Sequence, residues 1–262
     1  MRVRCDDSVP HVWRIAFAPS GDGDITIDRG GLTELLQLLE KAEQDAACRV
    51  LVLEGSEQQF CVGMDLGGAT DSVDTAQLGL TEYEDALSRL RHARQAVIAL
   101  VSGEALAGGI GLAAASDLLM ATEDARFGLP EIMLGLVPGM VLPTLLDRMP
   151  LQKVRRFALQ LQSISAHEAQ HLGLVDVVVP DRSALEKALR QELKSLLRCQ
   201  PEAIGQLKAS TSAMQGRSFG DAIKIGQEAT AARLADPSTQ EGIRSFLGGE
   251  PLPWLDRYRP KK

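Results

Sequence analysis

The sequence predicts a large α/β domain followed by a helical C-terminal region. Three observations predict it. Strand-like and helix-like segments alternate through the first two-thirds of the chain, short apolar strands precede glycine-rich turns, and strand signals stop after Pro180. Residues 11–18 read as a strand, 31–45 as an amphipathic helix and 49–54 as a short apolar strand. Residues 75–95 place Leu78, Leu80, Leu87 and Leu90 at helical spacing among charges. A-V-I-A-L-V-S at 96–102 is a buried strand, 108–116 a helix of small residues, and 117–122 and 125–128 are strands again. Beyond Pro180 the segments 182–199, 201–214, 219–236 and 238–247 read as helices separated by Pro and Gly breaks. A division near residue 200 follows, with a core at 1–199 and a helical region at 200–262.

Bulk properties narrow the function classes. The 262 residues are 45% hydrophobic and 24% charged, ordinary for a globular chain. Net charge is −7, from 28 basic and 35 acidic side chains, which disfavours nucleic acid as a main partner. No apolar run is long enough for a membrane span, and M-R-V-R-C-D-D does not read as a signal peptide. The four cysteines, Cys5, Cys48, Cys61 and Cys199, lack pairing spacing, so reduced thiols and a cytoplasmic location are expected.

Two glycine turns carry the chemical signal. F-C-V-G-M-D-L at 60–66 follows the strand at 49–54, and G-E-A-L-A-G-G-I-G at 103–111 follows the strand at 96–102. Glycine lets a backbone approach a ligand closely, and N–H groups from two such loops converging on one oxygen would form an oxyanion hole. A third segment, F-G-L-P-E-I-M-L-G-L-V-P-G at 127–139, sets Glu131 after Pro130 in an apolar run. By itself Glu131 reads as an acid in the first turn of a helix, favoured by the dipole, sooner than as a catalyst.

These three segments, with I-S-A-H-E-A-Q-H-L-G-L-V-D at 164–176, resemble the crotonase (enoyl-CoA hydratase/isomerase) superfamily over nearly the whole chain. The resemblance implies a ClpP/crotonase-like β-β-α spiral with a C-terminal helical trimerisation region, assembled as a homotrimer or hexamer. It places the oxyanion hole on the backbone N–H groups of Met64 and Gly108 and the second catalytic glutamate on Glu131. It sets Gly63, Gly109, Gly111 and Pro138 at the substrate pocket. The family's first catalytic glutamate falls on Gly111, which has no side chain for acid–base work.

A-R-F-G-L-P-E-I-M-L-G-L-V-P-G-M-V-L-P and D-P-S-T-Q-E-G-I-R-S-F-L-G-G-E-P-L-P-W are similar to the dehydratases of polyketide β-branching cassettes. That branch also carries a small residue at the Gly111 position. It implies dehydration of a 3-hydroxy-3-methylglutaryl thioester on acyl carrier protein to the 3-methylglutaconyl thioester. No cofactor is expected beyond the phosphopantetheine or coenzyme A that carries the acyl group. Asp65 is a candidate second acid, or else a cap for the following helix. Asp22 and Asp24 make acidic a loop where hydratases usually place a basic residue near coenzyme A. Arg148, Lys153, Arg155 and Arg156 form a basic island suited to an acidic carrier protein, or a solvated helix face. The alternatives are a coenzyme A enoyl isomerase (Δ3 to Δ2) or hydratase, and a non-catalytic interaction or RNA-binding homologue.

Three further patterns read as structure. H-E-A-Q-H at 167–171 imitates a zinc motif but has no third ligand nearby, so no metal is expected. G-R-S-F-G around Ser218 joins two helices rather than a strand and a helix. G-I-G-L-A-A at 109–114 imitates a dinucleotide fingerprint, and packing of small residues explains it better.

Overall fold

The structure is a computed structural model that describes residues 1–65 and 73–255, with backbone alone at 73–78. Leu66, Leu78 as a side chain, and residues 256–262 of the expected helical region therefore lie outside the described residues.

Among the described residues the strands are β1 (Arg2–Asp6), β2 (Val12–Ala18), β3 (Val50–Glu54), β4 (Gln59–Cys61), β5 (Ala96–Val101), β6 (Glu104–Leu106), β7 (Leu118–Thr122), β8 (Arg126–Gly128), β9 (Ile164–Ser165) and β10 (Val177–Val179). The helices are α1 (Arg29–Gln44), α2 (Val73–His92), α3 (Gly108–Ala114), α4 (Leu142–Arg148), α5 (Leu151–Leu159), α6 (Ala166–Leu172), α7 (Arg182–Leu196), α8 (Pro201–Met214), α9 (Phe219–Ala235) and α10 (Pro237–Gly248). One sheet runs β1-β2-β3-β5-β7-β10 and the other β4-β6-β8-β9. Only the β1–β2 and β8–β9 pairs are antiparallel. Each turn of chain thus lays one strand in the large sheet, the next in the small sheet, and then a helix: β3-β4-α2, then β5-β6-α3. This is the β-β-α spiral that the resemblance implies.

The two central strands explain why their sequence runs are apolar throughout. Every residue of β3 and β5 is buried. Side chains alternate between the faces of a strand. Leu51, Leu53, Val97, Ala99 and Val101 join the core beneath α1 and α2, where Leu32, Leu35 and Leu90 lie. Val50, Val52, Ala96, Ile98 and Leu100 join a second cluster with Leu185, Leu189 and Leu193 of α7. Helices cover both faces, so neither side of the strand can be polar. At the end of β3, Glu54 accepts from Arg14 and Arg182, tying β2 and β3 to α7 in an ion network that also includes Glu186.

The helix ends follow local chemistry. The Asp28 side chain accepts from Gly31 N at the start of α1, 2.8 Å. Ser165 and Glu168 form a capping box on α6, the helix that contains the H-E-A-Q-H pattern. Ser218 caps α9 by accepting from Asp221 N, so its place in G-R-S-F-G is that of a helix start. After the chain turns at Gln200, α8, α9 and α10 follow, and Trp254 Nε1 bonds back to the Arg198 carbonyl at 2.9 Å. The exposed large apolar side chains Leu207, Phe219, Ile223, Leu234, Phe246 and Leu247 all lie on these three helices. Among the described residues no helix is long and apolar enough to cross a membrane.

Candidate active site

Both glycine turns end at the same wall of one cavity of about 520 Å³. Its apolar lining includes Ile27, Leu32, Leu80, Leu134, Val137 and Met140, and its polar groups are Asp28, Arg29, Asp65, Tyr83 and Glu131.

The first turn reaches the cavity through a single parallel bridge. Ile27 N donates to the Gly63 carbonyl at 2.7 Å, and Asp65 N donates to the Ile27 carbonyl at 2.9 Å. A residue flanked in this way turns its own N–H to the opposite side, so Met64 N points away from Ile27. Gly63 has φ +101°, and a Cβ there would lie 2.7 Å from Ala107 Cβ and 3.5 Å from Gly108 N. The two loops therefore abut with no room for a side chain between them.

The second turn begins at Ala107, a non-glycine residue at φ 48°, ψ −126°, which is a strained conformation for an L-residue. Its N–H bonds to the Gly128 carbonyl at 2.9 Å, and the next residue starts α3. The first N–H groups of a helix have no partner within it. Among the described residues, no carbonyl accepts from Met64 N or Gly108 N.

Glu131 stands at the start of a 3₁₀ turn, Glu131–Leu134, which the left-handed Gly135 ends. The residue is half-buried, and Oε2 is buried without a partner among the described residues. Burial pushes its pKa up from the ordinary carboxylate value, against a smaller opposing hydrogen bond from its own N–H. A carboxylate so desolvated is a better base than one in water.

The structure brings Met64, Gly108, Glu131, Pro138 and Asp65 to this cavity. Asp65 is exposed, and the residues that follow it, 66–72, lie outside the described residues. Two expectations need correction. Gly63, Gly109 and Gly111 stand behind the cavity wall and do not line it. A Cβ on Gly109 would meet the Cys61 carbonyl at 2.0 Å, and one on Gly111 would meet Tyr83 Oη at 2.1 Å. A hydroxyl therefore fills the space beside position 111. Arg148 also leaves the basic island. Its guanidinium donates to the carbonyls of Ala114, Ser116 and Leu174 and to Asp176, so it ties α3 and α4 to the loop before β10. Arg155 and Arg156 remain exposed on α5, with Lys153 half-exposed. Asp22 and Asp24 are exposed, and Asp24 accepts from Gln59 at 2.6 Å.

Sequence reasoning missed Tyr83. It is 1% exposed, lies in the middle of α2, and donates to the Gly108 carbonyl at 2.5 Å. A tyrosine among leucines at helical spacing reads as core. The signal that could have found it was the void implied by glycine at 111. Arg29 was missed too; it holds Glu82 through Nε at 3.3 Å at the cavity mouth, with its side chain 61% exposed.

The layered spiral with peptide N–H groups and one desolvated carboxylate around one cavity defines an enzyme of the crotonase fold. The family model described as enoyl-CoA hydratase/isomerase matches residues 25–257. The chain is 30% identical over 238 residues to bacillaene synthase dehydratase PksH of Bacillus subtilis (strain 168), covering 88% of this chain and 89% of the relative. It is 32% identical over 217 residues to 2,3-dehydroadipyl-CoA hydratase of Escherichia coli (strain K12), covering 82% and 84%. Among solved structures, Pseudomonas aeruginosa AtuE superposes with a TM-score of 0.90 at 29% identity, covering 97% of this chain and 99% of that one. The chain belongs to the enoyl-CoA hydratase/isomerase family. It is a hydro-lyase of the hydratase and dehydratase kind.

Proposed function

We propose that this enzyme dehydrates 3-hydroxy-3-methylglutaryl thioester on acyl carrier protein to the 3-methylglutaconyl thioester. The observation that carries the reading is a chamber with one desolvated carboxylate, Glu131, and a hydroxyl where the family's other glutamate would stand. The thioester oxygen accepts from Met64 N and Gly108 N, and each such donor is typically worth about 3 kcal/mol in the transition state. Glu131 takes the C2 proton. A tertiary C3–O bond breaks more readily than a secondary one, so the second carboxylate of a straight-chain hydratase is dispensable. Likeness to the bacillaene synthase dehydratase over most of the chain supports this reading. The two curated relatives named above are a hydratase and a dehydratase, which does not favour the Δ3 to Δ2 isomerase.

Carrier preference rests on charge. The exposed Asp22 and Asp24 repel a coenzyme A phosphate, whereas exposed Arg155 and Arg156 suit an acidic carrier protein. The acyl-carrier protein substrate is expected to be dehydrated far faster than the same acyl group on coenzyme A. Reversing charge at Arg155 and Arg156 lowers kcat/KM for the carrier substrate most strongly at low salt. Equal efficiency on the two thioesters would move the assignment to a coenzyme A hydratase. Assembly as a trimer or hexamer belongs to the same proposal, and the exposed apolar side chains of α8–α10 support it.

The distal carboxylate of the acyl group needs a cation. Arg29 carries the positive charge among the described lining residues, and its contact with Glu82 uses Nε alone. Its outer nitrogens remain a fork suited to a carboxylate. Arg29→Gln is expected to raise KM about tenfold for the 3-hydroxy-3-methylglutaryl thioester and leave it unchanged for the 3-hydroxy-3-methylbutyryl thioester, which lacks that carboxylate. Parallel changes on both substrates would remove Arg29 from this role.

A further inference from the structure

The hydroxyl of Tyr83 occupies the volume that a side chain at 111 would need, 2.1 Å from where its Cβ would be. The chain therefore does more than lack a carboxylate there: it delivers a different proton-bearing group to the same place from another element. Tyr83 descends from α2, lines the cavity, and faces the chamber that holds Glu131. It is enclosed by the core, and Ile27, Gly108 and Val141 crowd the same wall. Its hydroxyl hydrogen rests on the Gly108 carbonyl at 2.5 Å. That hydrogen can turn about the C–O bond toward another acceptor, and the oxygen can accept meanwhile.

We infer that Tyr83 is the second acid–base group of this active site, the acid that protonates the departing hydroxyl. The inference rests on the dehydratase reading. The Glu131 carboxylate removes the C2 proton, and the C–H electron pair enters the thioester as an enolate held by the two N–H groups. That pair returns to form the C2=C3 bond as the C3–O bond breaks. The departing oxygen keeps the C3–O pair, takes the Tyr83 proton and leaves as water. Tyr83 is left as phenolate and Glu131 as carboxylic acid. The released water relays the proton from Glu131 to Tyr83, and both groups regain their starting states with no net oxidation or reduction.

The electrostatics suit a group that gives its proton only briefly. Burial, with smaller contributions from Cys61 and Glu131, holds the Tyr83 pKa well above the ordinary tyrosine value. The phenol stays protonated at every working pH, so its proton is present when the hydroxyl departs. Once phenolate, it strips the proton from Glu131 readily, which resets the site.

Solvent exchange at C2 separates this role from a purely structural one. In deuterium oxide, Tyr83→Phe is expected to lose about 10²-fold in elimination, the size of a lost acid. It is expected to keep C2 exchange within about threefold, because Glu131 and both N–H donors remain. Glu131→Gln is expected to lose both. If Tyr83→Phe loses exchange in step with elimination, Tyr83 acts only by holding the Gly108 carbonyl, and the inference is overturned. Elimination within a few-fold of wild type overturns it as well. Should wild type leave the branched thioesters untouched, the dehydratase reading fails by itself, and the same comparison is run on 3-hydroxybutyryl-coenzyme A.

A second measurement covers a Tyr83→Phe protein that does not fold. Tyr83 and Tyr258 are the chain's two tyrosines, so uniform fluorotyrosine incorporation acidifies this phenol with little change in volume. The more acidic phenol is then expected to change the rate of elimination while C2 exchange stays within about threefold. An unchanged ratio of elimination to exchange would overturn the acid role.

Discussion

Glu131→Gln loses at least about 10²-fold in turnover while the fold stays intact, because the amide cannot take the C2 proton. The wild-type rate falls as pH drops through the Glu131 pKa, which burial raises above the ordinary carboxylate range. The acid limb of kcat/KM therefore lies above the pH at which a free glutamate would place it. Stability moves the other way. A raised folded-state pKa means that the folded protein disfavours the carboxylate. Its contribution is most favourable below the unfolded pKa and is lost as pH rises through the folded one. The neutral amide escapes that loss, so Glu131→Gln is expected to melt no lower than wild type at pH 7, with any gain vanishing in acid. A turnover within a few-fold of wild type, measured on protein with an unchanged melting profile, would take Glu131 out of the mechanism.

The largest stability effect is expected at Gly109. A Cβ there would lie 2.0 Å from the Cys61 carbonyl oxygen and 2.7 Å from its carbon. Those are main-chain atoms of β4, so no side-chain rotation relieves the overlap, and α3 must move off the small sheet. Overpacking of this kind costs about 1–3 kcal/mol, sometimes more. For a chain of this length about 3 kcal/mol corresponds to a Tm lower by roughly 6–12 °C. Gly108 starts the same helix, so activity is expected to fall further than the stability loss explains. Gly21→Ala is the control: nothing lies within 4 Å of a Cβ there. A Gly109→Ala protein that melts with wild type would mean that β4 and α3 are not packed as described.

The large sheet was legible because β3 and β5 are buried on both faces and so are written as unbroken apolar runs. Of the small sheet only β8 was read, in 125–128; β4 and β6 have three residues each, too few to show any period. β1 was invisible for another reason. It is an edge strand, mostly exposed, and R-V-R-C-D has only Val3 and Cys5 as apolar residues, too few to mark a strand. The site divided along the same line. Glycine turns and a lone glutamate in an apolar run are local signals, so Met64, Gly108 and Glu131 could be placed. Tyr83 reaches the chamber only because α2 crosses α3, a relation between residues far apart in sequence. Arg148 was misassigned because closeness in sequence was taken for closeness on the surface. It ends α4, whereas Arg155 and Arg156 sit on the outer side of α5.

Main-chain ownership of the two N–H groups bears on how such a site diversifies. A point substitution exchanges a side chain and leaves the peptide N–H where the loop put it. Leu134, Leu136, Val137 and Met140, by contrast, form a cavity rim made of side chains, on a segment that is largely exposed. New side chains can be explored there by ordinary mutation while the positions of the Met64 and Gly108 N–H groups are inherited unchanged. The strain at Ala107 is then a fixed cost of ancestry, and the rim is where descendants differ.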